Sequence, residues 1–216
     1  MIIQMYGFWR SIASFRVRVA LRLKGIEFDE TSIDILSGEQ FEPGYDAINP
    51  AHALPAVVHD GNLLVQSLPI IEYLDQLYPE PPLLPADAKG RAYARALALI
   101  TAADTHPLTV PRVRNYLREK FGAGQDAVHD WAGHWISEGF KTYERLLTQR
   151  PPAPFAAGAS PSVADICIAG HIASADLFKF NTSAFPTVTA LGARCFAIPA
   201  FASSHPFAQP GAPKQL

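Results

Sequence analysis

The sequence predicts a two-part protein: an α/β region built on a mixed four-stranded sheet, then an all-helical region. Three observations predict it. The first eighty residues alternate strand-like runs with helical stretches, in the order β-α-β and then β-β-α. The segment "PEPPLLPADAKG" (79–90) has four prolines in twelve residues, the composition of a semi-rigid linker. Beyond it, residues 91–150 are rich in alanine and leucine and carry few strand signals. The expected boundaries are 1–80 for the α/β domain, 81–88 for the linker and 89–216 for the helical domain.

Each element has a local reason. "MIIQMYGF" reads as a short strand. A helix is expected from Ser11 to about Lys24, because Val17, Ala20, Leu21 and the stem of Lys24 recur at helical spacing. Gly25 is its stop signal. "IEFDETSIDI" alternates apolar and polar residues and reads as the second strand. Residues 36–49 read as loop with at most a short helix. "LPAVVHDGNLLVQ" is a hairpin, because Asp60-Gly61 is a strong tight-turn signal between two apolar runs. A helix capped by Ser67 follows, with Ile70, Ile71, Leu74 and Leu77 as its inner stripe, and Pro79 ends it. A parallel unit followed by a hairpin gives a mixed sheet with helices packed on it.

In the helical region, a helix from about Lys89 is expected to break at Pro107. Another runs from about Asp126 to Gln149, with Trp131, Trp135, Phe140 and Leu147 as expected core. After the "PPAPF" break, "SVAD" (162–165) sets a serine three residues ahead of an acid, directly before "ICIAGHIASADLF". That is the capping-box arrangement, with Asp in place of the more usual Glu.

The totals exclude several classes. Hydrophobic residues make up 49% of the 216, enough for a real core. The 18 basic and 20 acidic residues nearly balance, which argues against a sequence-blind nucleic-acid binder. No apolar run approaches the about 20 residues needed to cross a bilayer. The start of the chain shows no cleavable leader pattern, so a cytoplasmic protein is expected. Cys167 and Cys195 sit in apolar surroundings and read as small buried side chains. The seven histidines show no metal-ligand spacing, and His171, in an apolar helix, reads as a satisfied core residue. No G-x-S-x-G elbow, Walker loop or G-x-G-x-x-G loop is present.

Three short stretches carry candidate chemistry, each with a plainer alternative. Ser11 stands where strand gives way to helix. It is either a simple N-cap or a hydroxyl facing an anion such as a thiolate, aided by the helix dipole and by Arg10. In "ALPAV" (53–57), Pro55 is either an ordinary edge proline or a cis proline that exposes the backbone of Leu54 to an extended ligand. In "QSLP" (66–69), Gln66 and Ser67 either cap the next helix or hold a carboxylate at its N-terminus. All three fall at one edge of the same sheet in this topology. Convergence on one anionic, peptide-like ligand strengthens the binding readings together.

The chain resembles the cytosolic glutathione transferases, specifically the zeta class, over essentially its whole length. "RSIASFRVRVAL" is similar to the family's serine-rich turn and R-V-R-[IV]-A-L helix. "NPAHALPAV" resembles its cis-proline motif, with Leu54 where valine is usual. "QSLPIIEYLDQLYP" resembles the glutathione-binding stretch, "SVAD" the family's capping box, and "SHPFAQPGAP" the zeta-class tail. The resemblance implies a thioredoxin-like first domain, an all-α second domain, a homodimer, and glutathione as the anionic peptide. It implies that Ser11 faces the glutathione sulfur. Leu54, beside Pro55, pairs with the tripeptide backbone, and Gln66 and Ser67 hold the γ-glutamyl carboxylate.

"FWRS", "DTHPLTVPRVRNYL" and "WISEGF" resemble bacterial maleylpyruvate isomerases most. Those enzymes use glutathione to turn a cis double bond between carboxylate-bearing groups into the trans form. By matching position, Arg10 and Arg112 would bind substrate carboxylate and His106 would touch glutathione. Two departures stand out. The turn reads Ser11-Ile12-Ala13-Ser14 where S-S-C-[SA] is typical. In "SADLFKF", Leu177 after Asp176 replaces a carboxylate-binding arginine, with Lys179 nearby. Losing such a bond costs about 1.5–3 kcal/mol, roughly 10- to 150-fold. With the more apolar Ile12, this ranks transfer to, or dehalogenation of, a small electrophile first. Isomerisation of maleylpyruvate or maleylacetoacetate comes second. A non-catalytic binding protein comes third, since it would not need Ser11, Pro55, Gln66 and Ser67 together.

Overall fold

The computed structural model describes residues 2–213. They form two compact units, one from residues up to Pro82 with the tail from Pro199, the other from Leu83 to Ile198. The tail from Pro199 therefore belongs to the α/β unit. Arg22 is one of its fastenings: its Nη1 donates to Ser203 O at 2.9 Å and to Ser204 Oγ at 2.7 Å.

In the first unit, β1 (Ile3–Gly7) leads through α1 (Ile12–Leu23) to β2 (Phe28–Ser32). A 3-10 turn (Glu39–Phe41) and the short α2 (Pro43–Asp46) precede the hairpin β3 (Ala56–His59) and β4 (Asn62–Val65), and α3 (Ser67–Leu77) closes the unit. The strand order is β2-β1-β3-β4. β1 pairs parallel with β2, and β3 pairs antiparallel with both β1 and β4. This is the mixed sheet expected. The alternation read over residues 26–35 holds only at its start: Ile26 and Phe28 are half-buried beside exposed Glu27 and Asp29, and residues 30–32 are exposed, although the Glu30 side chain is only 21% exposed. An edge strand of this kind has little to bury. Leu77, expected in the inner stripe of α3, is also exposed, while Ile70, Ile71 and Leu74 are buried. It lies in the last turn of the helix.

The second unit holds α4 (Ala88–Leu99), a π-helical turn (Ile100–Thr105), α5 (His106–Thr109), α6 (Pro111–Phe121), α7 (Gln125–Thr148), α8 (Val163–Phe178) and α9 (Pro186–Phe196). The break expected at Pro107 falls instead at Val110. Pro107 follows the π-helical turn, in the first turn of α5, and Val110 is extended before Pro111. Thr105 supports the π-helical turn by donating its hydroxyl to Ile100 O at 3.0 Å. Phe140 is fully buried in α7, but Trp131, Trp135 and Leu147 are only half-buried. α9 has no capping side chain of its own; Glu144 of α7 accepts from the N–H groups of Thr187 (2.9 Å) and Val188 (3.0 Å).

The capping box on α8 forms. Asp165 accepts from Ser162 N and Ser162 Oγ, both at 2.8 Å, and Ser162 Oγ accepts from Ala164 N. Burial pushes the Asp165 carboxyl above its usual range, against these bonds, which favour the charged form. His171 is buried and donates from Nε2 to Ile136 O at 2.8 Å. Cys167 and Cys195 are buried free thiols, and burial pushes the Cys195 thiol up. A further short helix, α10 (Pro199–Ala202), and a 3-10 turn (Pro206–Ala208) belong to the tail. Among the described residues, no helix is long and apolar enough to cross a membrane.

Candidate active site

The sheet register assembles the site. Tyr6 of β1 pairs with Ala56 of β3, and Ala56 pairs with Val65 of β4. This row crosses three strands near one end of the sheet. Just past it the chain leaves β1 toward Ser11, arrives at β3 through Leu54-Pro55, and leaves β4 into Gln66-Ser67. Three stretches separated by up to 56 positions thus reach one sheet end, because β3 runs opposite to both neighbours.

Ser11 is the N-cap of α1. It is nearly buried, with extended backbone (φ -74, ψ 114), and its Oγ accepts from Ser14 N at 3.1 Å. Capping uses one lone pair of the hydroxyl and leaves its proton to donate elsewhere. The two readings of Ser11 are therefore compatible. No acidic residue stands in the first turn of α1, so nothing there competes with a bound anion.

The turn that presents Ser11 is pinned from below. Ser11 N donates to Phe8 O at 3.0 Å, closing a turn whose central residues are Trp9 and Arg10. Phe8 O also accepts from Arg18 Nη2 at 2.9 Å. Arg18 is in turn clamped by Glu30, Nε to Oε2 at 2.8 Å and Nη2 to Oε1 at 2.6 Å, with its side chain only 1% exposed. Gly7 makes room for this pair, since a Cβ there would collide with the Glu30 carboxylate. The signal for this clamp in the sequence is a cation at a position that proves buried, which one-dimensional periodicity does not identify. Arg16 is buried too, and its Nε and Nη1 have no hydrogen-bond partner.

The Leu54–Pro55 peptide is cis. Leu54 lies two residues before β3, so the ladder does not consume its N–H and C=O. Pro55 is buried and Leu54 half-buried.

The helix after β4 starts one residue earlier than expected. Gln66 is the N-cap, with φ 68 and ψ 126, and makes no capping bond; Ser67 is the first helical residue and is buried. Ser67 does not cap α3. The helix begins with uncapped N–H groups and without an acid in its first turn, which suits a ligand carboxylate.

Arg10 is half-buried, with its guanidinium carbon 6.0 Å from the centroid of the Trp9 ring; burial pulls it down from its ordinary pKa. Ile12 is buried at the start of α1.

The remaining candidates belong to the second unit. His106 opens α5 and is half-buried, and Arg112 is exposed in the first turn of α6. Leu177 is half-buried in the last turn of α8, and Lys179 is an exposed C-cap in the left-handed conformation (φ 54). Arg114, which sequence reasoning passed over, lies with its guanidinium carbon 5.3 Å from the ring centroid of Phe178 and donates from Nε to Thr109 O at 3.0 Å.

Comparison with known proteins identifies the family. Residues 1–76 match the glutathione S-transferase N-terminal domain. The chain is 39% identical to a maleylpyruvate isomerase from Ralstonia sp over 208 residues, covering 96% of this chain and 98% of that protein. A maleylacetoacetate isomerase from Methylobacterium extorquens AM1, solved with malonate and GSH bound, has a TM-score of 0.95 at 42% identity, covering 98% of this chain and 100% of the other. The holo structure of maleylpyruvate isomerase, a bacterial zeta-class glutathione-S-transferase, has a TM-score of 0.94 at 39% identity, over 97% and 100% of the two chains. The thioredoxin-like reading of the first unit follows from these matches. By full-length sequence and structural similarity, the chain belongs to the glutathione transferase family, in the zeta-class branch of the maleylpyruvate and maleylacetoacetate isomerases.

Proposed function

We propose that the chain is a glutathione-dependent cis–trans isomerase of maleylpyruvate or maleylacetoacetate. The carrying observation is that Ser11, the Leu54 backbone and the uncapped start of α3 converge on one sheet end, in a chain whose full-length relatives are such isomerases. The relatives reverse the order reached from sequence, which put conjugation or dehalogenation first.

Bound glutathione supplies the thiol sulfur that attacks the double bond and departs again, leaving the trans alkene. The chain's own groups hold and charge-balance that chemistry. The Ser11 hydroxyl donates to the sulfur and, with the start of α1, favours its ionised form. The N–H and C=O of Leu54 pair with the peptide backbone, as an added strand would. Gln66, Ser67 and the first amides of α3 hold the γ-glutamyl carboxylate. Arg10 binds a substrate carboxylate. Roles for His106 toward glutathione and for Arg112 toward substrate rest on the family match of their sequence positions, as does Lys179 as a partial substitute beside Leu177. Assembly as a homodimer and a cytoplasmic setting belong to the same reading; light scattering in solution tests the dimer.

The deciding assay follows maleylpyruvate isomerisation with glutathione, beside conjugation of an uncharged small electrophile. Isomerisation exceeding conjugation in kcat/KM supports the proposal. Conjugation alone would overturn it in favour of transfer or dehalogenation, which Leu177 and Asp176 favour by removing a cation from the end of α8. Absence of glutathione binding by calorimetry would refute both.

A further inference from the structure

The motif "SHPFAQPGAP" has no part in the chemistry above, yet it is built into the unit that carries it. The tail is fastened at several points. Arg22 of α1 holds Ser203 O and Ser204 Oγ. Gln209, itself buried, donates from Nε2 to Ser203 O and to His205 O, both at 2.8 Å. Phe207 N donates to His205 Nδ1 at 3.3 Å, and Phe201, Ser204 and Pro206 are buried. These anchors fix where Phe207 points. Its ring stands 6.2 Å from that of Trp9, centroid to centroid, at 35°. Trp9 also packs against Phe8, at 5.7 Å between centroids.

Trp9 and Arg10 are the two central residues of the turn closed by Ser11 N and Phe8 O. The Arg10 guanidinium lies at the Trp9 ring, within the range of a cation–π contact. A continuous chain of contacts therefore runs from the tail, through Phe207 and Trp9, to Arg10.

We propose that the C-terminal tail is a positioning element for substrate binding: Phe207 fixes Trp9, and Trp9 pre-orients Arg10 for a substrate carboxylate. A flexible arginine must surrender rotamer freedom to grip an anion, and an aromatic surface held in place reduces that loss. The inference rests on the assignment of Arg10 to substrate carboxylate, and the test separates the two.

The test is steady-state kinetics of Arg10→Ala, Phe207→Ala, Phe207→Leu and Phe207→Tyr, with the dianion maleylpyruvate and with an uncharged electrophile. The expected result is that Phe207→Ala raises KM for the dianion about 3- to 10-fold with little change in kcat, the pattern of lost uniform binding. KM for glutathione and for the uncharged electrophile stays within about 2-fold of the parent. Phe207→Tyr restores the parent KM. Phe207→Leu keeps apolar bulk in case the alanine variant fails to fold, and it reproduces part of the loss. If Arg10→Ala raises KM for the dianion and neither Phe207→Ala nor Phe207→Leu does, the tail has no positioning role, while the reading of Arg10 stands. If Arg10→Ala leaves that KM unchanged, the assignment of Arg10 fails and the inference with it. An equal rise for both electrophiles would mark Phe207 as a fold-stabilising residue only, and would also overturn the proposal.

Discussion

Arg18 donates a 2.9 Å hydrogen bond to the carbonyl of Phe8, the same oxygen that accepts from Ser11 N. One buried guanidinium thus holds both the turn before α1 and, through Glu30, the neighbouring strand. Arg18→Leu leaves the partly buried Glu30 carboxylate without its partner and removes one of the two donors to the Phe8 carbonyl. The expected loss is about 3 kcal/mol of unfolding free energy, read by urea denaturation. Adding Glu30→Leu should recover part of it, because the unpaired charge is then gone. Gly7→Ala should resemble the single variant, since its Cβ displaces the same carboxylate. Additive single and double costs would show that the pair does not act as a unit.

Ser11 has two jobs that different substitutions separate. Ser11→Gly removes the hydroxyl but costs only a few tenths of a kcal/mol as a cap, whereas Ser11→Ala costs about 1 kcal/mol. Both should raise the thiol pKa of bound glutathione by a similar amount, followed by thiolate absorbance against pH. If the thiol titration is unchanged in both, Ser11 is only a cap.

Gln66 is held at φ 68, where a side chain is strained and glycine is not. Gln66→Gly should therefore leave stability unchanged or raise it by up to about 1 kcal/mol, by thermal unfolding. The same variant should weaken glutathione binding by calorimetry, roughly 10-fold for a lost hydrogen bond to a charged group. Unimpaired affinity would remove Gln66 from the site.

His171 supplies a pH-dependent term in the second unit. Burial holds its pKa at about 4, below the ordinary 6.5. As pH falls below about 6.5 the unfolded chain takes up this proton and the folded chain does not, so stability drops until about pH 4. The full term is about 3 kcal/mol, and it should be missing from the pH profile of His171→Asn. An unchanged profile would mean that the ring charges in place.

Gly139 of α7 packs against this histidine, in the same helix as its acceptor Ile136 O. A Cβ there would sit 2.5 Å from both Cε1 and Nε2 of the hydrogen-bonded ring. Gly139→Ala should cost about 1–3 kcal/mol in chemical denaturation, and less in a His171→Ala background.

The elements were legible because their causes are local. Helical spacing marked α1, Asp60-Gly61 marked the hairpin, and Ser162 with Asp165 marked the start of α8. The resemblance named the ligand set that goes with these stretches. The misreadings occurred where a neighbour decided the outcome. Leu77 is exposed in the last turn of α3, and Ser67 is inside α3 because Gln66 takes the strained cap position.

The sequence by itself determined where strands and helices lie and which short stretches carry hydroxyls, cations and prolines, since propensity and punctuation act over a few residues. Tertiary structure alone decided that Tyr6 of β1 pairs with Ala56 of the hairpin, that Arg18 reaches Glu30 and Phe8, and that Phe207 returns to Trp9. These pairings join residues 10 to 198 positions apart, and nothing in either local segment specifies the other; burial and register select them when the chain packs.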